Sequence, residues 1–179
     1  MILAVAGALV LAACGSTSKT VSTSNAPTST VHVAIPVKAT PSVSAKMVCE
    51  HEVQTEIAGL VGEKPNQPIA PTWKDHVYSC TYHYKDGSFT LSVKELADRA
   101  DTDAYFNGEA QKLGKTQNIA GLAQGAFTTP NGSAVVRKDY KVLLIDVSKL
   151  PAHFGNPPDT RGNIALNVAA TIMSCWTGA

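Results

Sequence analysis

The tract from Gly15 to about Ala45 constrains this chain most. It is built of Ser, Thr, Pro, Ala and Val, with only Lys19 and Lys38 charged and no aromatic residue. A segment of that composition buries too little apolar surface to offset the entropy of ordering it. It reads as a tether, reaching roughly 30 Å as a flexible coil and up to about 100 Å when stretched. Any hydrophobic core must then come from Lys46 to Ala179, the length of one ordinary domain. The Ser and Thr density also offers acceptors for O-linked sugars.

Upstream of the tether, an apolar run from Ile2 closes on Leu11-Ala12-Ala13-Cys14. The run is long enough for a signal-peptide core but too short to cross about 30 Å of hydrocarbon as a helix. Small residues at Ala12 and Ala13 fit a peptidase cleft, and Cys14 supplies a thiol for a diacylglyceryl group. The expectation is a lipobox. Residues 1–13 would be removed, residues 14–45 would be the lipidated Cys and its tether, and residues 46–179 would form a domain at the extracytoplasmic face of the cell membrane. Several acyl chains anchor far better than one. No Lys or Arg precedes the apolar run, where a positive segment is expected, which leaves room for a start upstream of Met1. The formal charge of +1 becomes about −1 for the domain once the two tether lysines are set aside, so no broad basic field is available for nucleic acid.

Within the domain, Ser44 is placed as the cap of a first helix. Val53, Ile57, Leu60 and Val61 recur at helical spacing before Gly62, and Cys49 falls on the same inward face. A Pro-rich stretch, residues 63–74, precedes a hairpin: residues 77–84, the turn pair Asp86-Gly87, and residues 89–93. A two-residue turn there sets Tyr84 opposite Phe89, Tyr82 opposite Leu91 and Cys80 opposite Val93, all on one face. A second helix starting near Asp101 or Thr102 buries Phe106, Ala110 and Leu113 before Gly114. Asn131-Gly132 joins strands 126–129 and 134–138, and a further strand, 141–148, carries Leu143, Ile145 and Val147 on one face. Pro157-Pro158-Asp159 introduces a last helix striped with Ala165, Val168, Ile172 and Trp176. The order is α-β-β-α-β-β-β-α, with helix-and-hairpin units twice. The fold class is α+β: an antiparallel sheet of about five strands packed with three helices.

Leu11 to Cys14, Cys49, the Ser79-Cys80-Thr81-Tyr82 strand and Ile119-Ala120-Gly121-Leu122 together resemble the small actinobacterial lipoproteins grouped as a domain of unknown function. The layout is also similar to the antiparallel α/β/α sandwich of the photosystem-associated PsbP and Mog-type proteins. The resemblance spans nearly the whole chain and implies a fold and an address rather than an activity. Cys175 departs from that family's two-cysteine pattern.

With Cys14 lipidated, three cysteines remain in an exported domain, where oxidising conditions favour pairing. Cys49 and Cys80 are both expected to face the core. Their bond would close a loop of about thirty residues and stabilise by roughly 3 to 4 kcal/mol on the chain-entropy account. Cys175 is then a buried free thiol, with its pairing to either of the others left open. No Cys-x-x-Cys spacing occurs, which excludes a thioredoxin-like motif and a zinc knuckle.

Catalytic and metal signatures are incomplete. His51-Glu52 begins like a zinc-protease helix, but Thr55 stands where the second His is needed. His76 and His83 flank a strand without an acidic pair, and His32 lies in the tether. There is no Gly-x-Ser-x-Gly elbow. Gly121-Leu122-Ala123-Gln124-Gly125 lacks the Lys-Ser/Thr ending of a phosphate loop. No cofactor or metal is expected. Apolar or aromatic residues in polar-looking loops, Ile69, Trp73, His153 and Phe154, are the candidate contacts for a ligand or partner. The leading expectation is a non-enzymatic module holding a small hydrophobic ligand or glycolipid between sheet and helix. The rival is an adaptor docking on another envelope protein, and a hydrolase is the third class. The two leading cases differ in form, since a carrier has an enclosed apolar pocket and an adaptor a filled core with an exposed patch. Globomycin treatment of expressing cells tests the lipobox. The expected result is a heavier, uncleaved precursor, and an unchanged mass would overturn it.

Overall fold

The computed structural model describes residues 36–176, so Cys14, the signal segment and residues 15–35 of the tether lie outside the described residues. The domain is α+β. Its elements are α1 (Val43–Met47), α2 (His51–Val61), β1 (Thr72–Lys74), β2 (Val77–Tyr84), β3 (Gly87–Glu95), α3 (Arg99–Leu113), β4 (Gln117–Asn118), β5 (Gly125–Thr128), β6 (Ala134–Lys138), β7 (Lys141–Asp146), β8 (His153–Phe154), β9 (Asp159–Thr160) and α4 (Arg161–Cys175). Seven strands form one antiparallel sheet in the order β1-β2-β3-β7-β6-β5-β4, and β8-β9 make a separate hairpin. The five expected strands are all present. The sheet exceeds them because β1 and β4, edge strands of three and two residues, are too short to leave a periodic signal in sequence.

Two meanders, β1-β2-β3 and β4-β5-β6-β7, meet where β3 pairs with β7. One face packs Cys80, Tyr82, Phe89, Leu91, Val93, Leu143 and Ile145 against residues of α1, α2 and α4. On the other, Phe127, Val135 and Val142 pack against Tyr105, Phe106, Ala110 and Leu113, the last three half-buried. Apolar residues therefore occur on both faces of β5–β7. The outer face of β2 and β3 carries Ser79, Thr81, His83, Thr90 and Ser92 instead.

Four local expectations are corrected. The β2–β3 turn is Lys85-Asp86, since Tyr84 pairs with Gly87, Tyr82 with Phe89 and Cys80 with Leu91. The register moves by two residues, so the six side chains keep their inward face. Gly87 is small for another reason than a turn: a Cβ there would lie 2.6 Å from the Lys149 carbonyl oxygen. The first helix is two helices, broken at Val48–Glu50, and the cap is Ser42, whose Oγ accepts from the Ala45 amide. The last helix is the fourth. Packing also begins upstream of Lys46: Ala45 is fully buried, and Ser42 bonds Glu95 on β3.

The helix break is fastened from below. A Cys49–Cys80 disulfide, with Cα atoms 6.0 Å apart, joins it to β2, and the Tyr82 hydroxyl donates to the Val48 carbonyl at 3.0 Å. Cys175 is a half-buried free thiol. Helix α4 carries its stripe as expected, with Ala165, Val168, Ile172 and Trp176 all buried. Thr160 caps it by accepting from the Asn163 amide.

Glycines divide by what surrounds them. Gly62 ends α2 at φ 70°, and a Cβ there would collide with the Asn156 carbonyl. Gly108, inside α3, has open space around it. Gly62→Ala should therefore cost about 2–4 kcal/mol through left-handed strain and overpacking. Gly108→Ala should gain about 0.5–1 kcal/mol from helix propensity. Urea unfolding of the two variants checks both signs.

Candidate functional site

Helix α2 buries Val53, Ile57 and Val61 on the sheet, which leaves its opposite shoulder to face the chain that follows. Gly62 reverses that chain, and the Asn66 amide donates to the His83 carbonyl at 2.8 Å, pinning the Pro-rich connection to β2. Between shoulder and connection lies an open cleft of about 750 Å³. Its helix wall is Gln54, Thr55, Ala58 and Gly59; its loop wall includes Pro65, Pro68 and Ile69. Small and amide-bearing residues on one side and prolines with an aliphatic on the other suit an extended segment that offers both backbone groups and apolar side chains.

Of the four expected contact residues, only Ile69 lines this cleft. Trp73 sits on β1, where its indole N–H donates to the Ala39 carbonyl at 2.7 Å and its ring meets His76 edge-on at 5.8 Å. Phe154 is buried on β8 against Tyr84, ring centres 4.9 Å apart, and its neighbour His153 is exposed. Trp73 pairs with Tyr78, whereas Tyr84 lies six residues further along β2, about 20 Å away at strand rise. Trp73 and Phe154 therefore do not share one groove. Both rings serve packing instead: Trp73 holds the incoming chain and Phe154 closes the end of the core.

Other sequence motifs are absorbed into local structure. Asn131 accepts from the Ser133 amide and from the Thr129 hydroxyl within its hairpin turn. Gly121 and Ala123 take positive φ in the bend before β5. The Thr55 hydroxyl donates to the His51 carbonyl, so it is spent on its own helix. Among the described residues no group of three or more His, Cys, Asp or Glu side chains gathers as metal ligands.

Sequence reasoning missed a charged pair at the far end of the sheet. Glu95 is buried and accepts from both the amide and the hydroxyl of Ser42, at 2.8 and 2.6 Å. Lys141 stands opposite it in register, and the residue is only 7% exposed. Both line a second cleft, of about 510 Å³. The signal was available: Glu95 extends the inward row Phe89, Leu91, Val93, and Lys141 extends the row Leu143, Ile145, Val147.

A scan of protein-family models finds no match to this chain, and searches of curated proteins and of solved structures find no similar protein.

Tyr82 and Tyr84 lie beneath the α2 side of the sheet. Burial first, then the neighbouring Tyr84 phenol for Tyr82 and the Glu63 carboxylate for Tyr84, pushes both hydroxyls far above the ordinary 10.0. An unfolded tyrosine loses its proton near that value while these two keep theirs, so the unfolded state gains stability as pH rises. Stability should be level below about pH 10 and fall above it. An alkaline titration should show the phenolate absorbance of these two tyrosines only as circular dichroism reports unfolding. Their ionisation in the intact fold would contradict this.

Proposed function

We propose that this chain is a lipid-anchored envelope protein whose domain is a non-enzymatic docking module, taking a segment of another envelope protein in the cleft between α2 and the Pro-rich connection. The carrying observation is where the space lies. The layer between sheet and helices is filled by fully buried side chains such as Tyr82, Leu91, Ile145, Val168 and Ile172, whereas the 750 Å³ cleft is open at the surface. A ligand carried between sheet and helix would need room that these side chains occupy, which favours docking over the carrier. The lipobox supplies the address, and the polar tract gives the domain the reach to meet partners in or beneath the wall. The small actinobacterial lipoproteins it resembles share that arrangement.

A photoreactive amino acid placed at Gln54 or Thr55 in expressing cells tests the cleft, with the same probe at Gly108 on α3 as control. The expected outcome is a discrete protein adduct from the cleft positions alone. Equal labelling at Gly108, or none at the cleft, would overturn the docking role. Native mass spectrometry of gently extracted protein separates the rival. A small added mass that is lost on denaturation would establish the carrier instead.

A further inference from the structure

We infer that this domain pairs with a second copy of itself through the outer side of α1, the Val43 side chain of each copy entering a cleft on the other between α1, α2 and the end of α4. The contact is separate from the docking cleft, which is walled by other residues of α2. Three observations carry it.

The first is an apolar knob beside a hole. Helix α1 turns Ser44, Ala45 and Val48 inward, which leaves Val43, Lys46, Met47 and Glu50 along its outer side at helical spacing. Val43 is 87% exposed, against 42% for Tyr140, the other exposed large hydrophobic residue of the described chain. Beside it lies a cleft of about 450 Å³ whose apolar lining is Met47, Val53 and Cys175. Val53 is buried and Met47 packs on the core, so the cleft reaches down to the core itself. Val43 stands at its lip without filling it, and burial of that side chain has to come from outside the chain.

The second is a rim that is complementary to itself. Lys46 is its cation, Glu50 and Glu52 are its carboxylates, and all three residues are exposed. The ion pairs among the described residues lie on α3 or join α3 to β6, and none takes in these three. A rim of one sign would repel its own copy. This one carries both signs about one helical turn apart, so a copy can match it.

The third is that one symmetry operation satisfies both. A two-fold contact requires that where residue i meets residue j, j also meets i. With the axis midway between Lys46 and Glu50 and the two rows antiparallel, each Lys46 faces the partner's Glu50. The same register sets each Val43 opposite the partner's Val53, at the floor of the cleft. A contact built on one five-residue helix and one cleft is smaller than a standard interface, so the pair should dissociate at about 10–100 μM.

Sedimentation equilibrium of the full chain in nonionic detergent, over a concentration series spanning that range, tests the pairing. A dimer fraction that rises with concentration is expected. Val43→Asp and Lys46→Glu should each weaken it about tenfold or more, whereas Lys46→Glu combined with Glu50→Lys should restore it to within about threefold, because the reversed charges again match across the axis. Tyr140→Ser, at the other exposed hydrophobic residue, should leave it unchanged. Lys46 and Glu50 are exposed, so the charge exchange carries the test should Val43→Asp unfold. A monomer at every concentration would overturn the proposal and assign this face to a partner of different sequence. Association indifferent to Val43→Asp would also overturn it, as would a charge-exchanged chain as weak as Lys46→Glu alone. None of these outcomes bears on the docking cleft, whose adducts are read from Gln54 and Thr55.

Discussion

The pairing of β3 with β7 is the interaction on which the rest of this structure depends. Each meander on its own is a set of short hairpins with one apolar face, and such pieces are marginal in water. Joining Thr90–Glu95 to Lys141–Asp146, strands about fifty residues apart in sequence, merges two half-sheets into one. Only then is the inward face wide enough to seat α2 beside α4. The same pairing sets Phe127, Val135 and Val142 under α3, the connection that carries the chain from one meander to the other. It also brings Glu95 to Lys141, so the charged end of the sheet is a product of the long-range step rather than of either hairpin.

What could be read in the sequence follows from how local the information is. The inward rows of β2, β3 and β7 were legible because a period of two over five or more residues survives any shift of register by two. The turn was misplaced for the same reason: Asp86-Gly87 carries a strong hairpin signature, yet Gly87 is required by the backbone of Lys149 passing overhead, a contact that no local pattern encodes. The α1–α2 break at Val48–Glu50 was hidden because its cause is tertiary, a disulfide and a tyrosine hydroxyl reaching up from β2. The candidate contacts were chosen for being apolar in polar surroundings, and that criterion cannot separate a binding residue from one that fastens a loop. Trp73 fastens the incoming chain, Phe154 packs on Tyr84, and Ile69 lines the cleft beside α2.

The chain entering the domain is held more firmly than its composition suggests. Trp73 takes the Ala39 carbonyl, Glu95 takes Ser42, and Cys80 takes Cys49, three attachments spaced along some ten residues. They run along one side of the β1-β2-β3 meander. Load applied through the preceding chain would therefore reach the sheet through several bonds in sequence, with the covalent one last. A free helix in place of this strap would leave α2 with only its apolar stripe to resist displacement.

The two inward rows that end on Glu95 and Lys141 show how the sheet changes character along its length. Towards the β2–β3 turn the row closes on Phe89 and Tyr84, sealed by Phe154, so that end is dry. Towards the incoming chain it closes on charge, and no helix of this domain covers it beyond the five residues of α1. A buried carboxylate there accepts two hydrogen bonds from Ser42, a residue supplied by the strap itself. Lys141 stands opposite it in register and ends the row of Leu143 and Ile145 at a cleft that Asp139 and Arg99 also line, so the sheet passes from a closed apolar end to an open charged one.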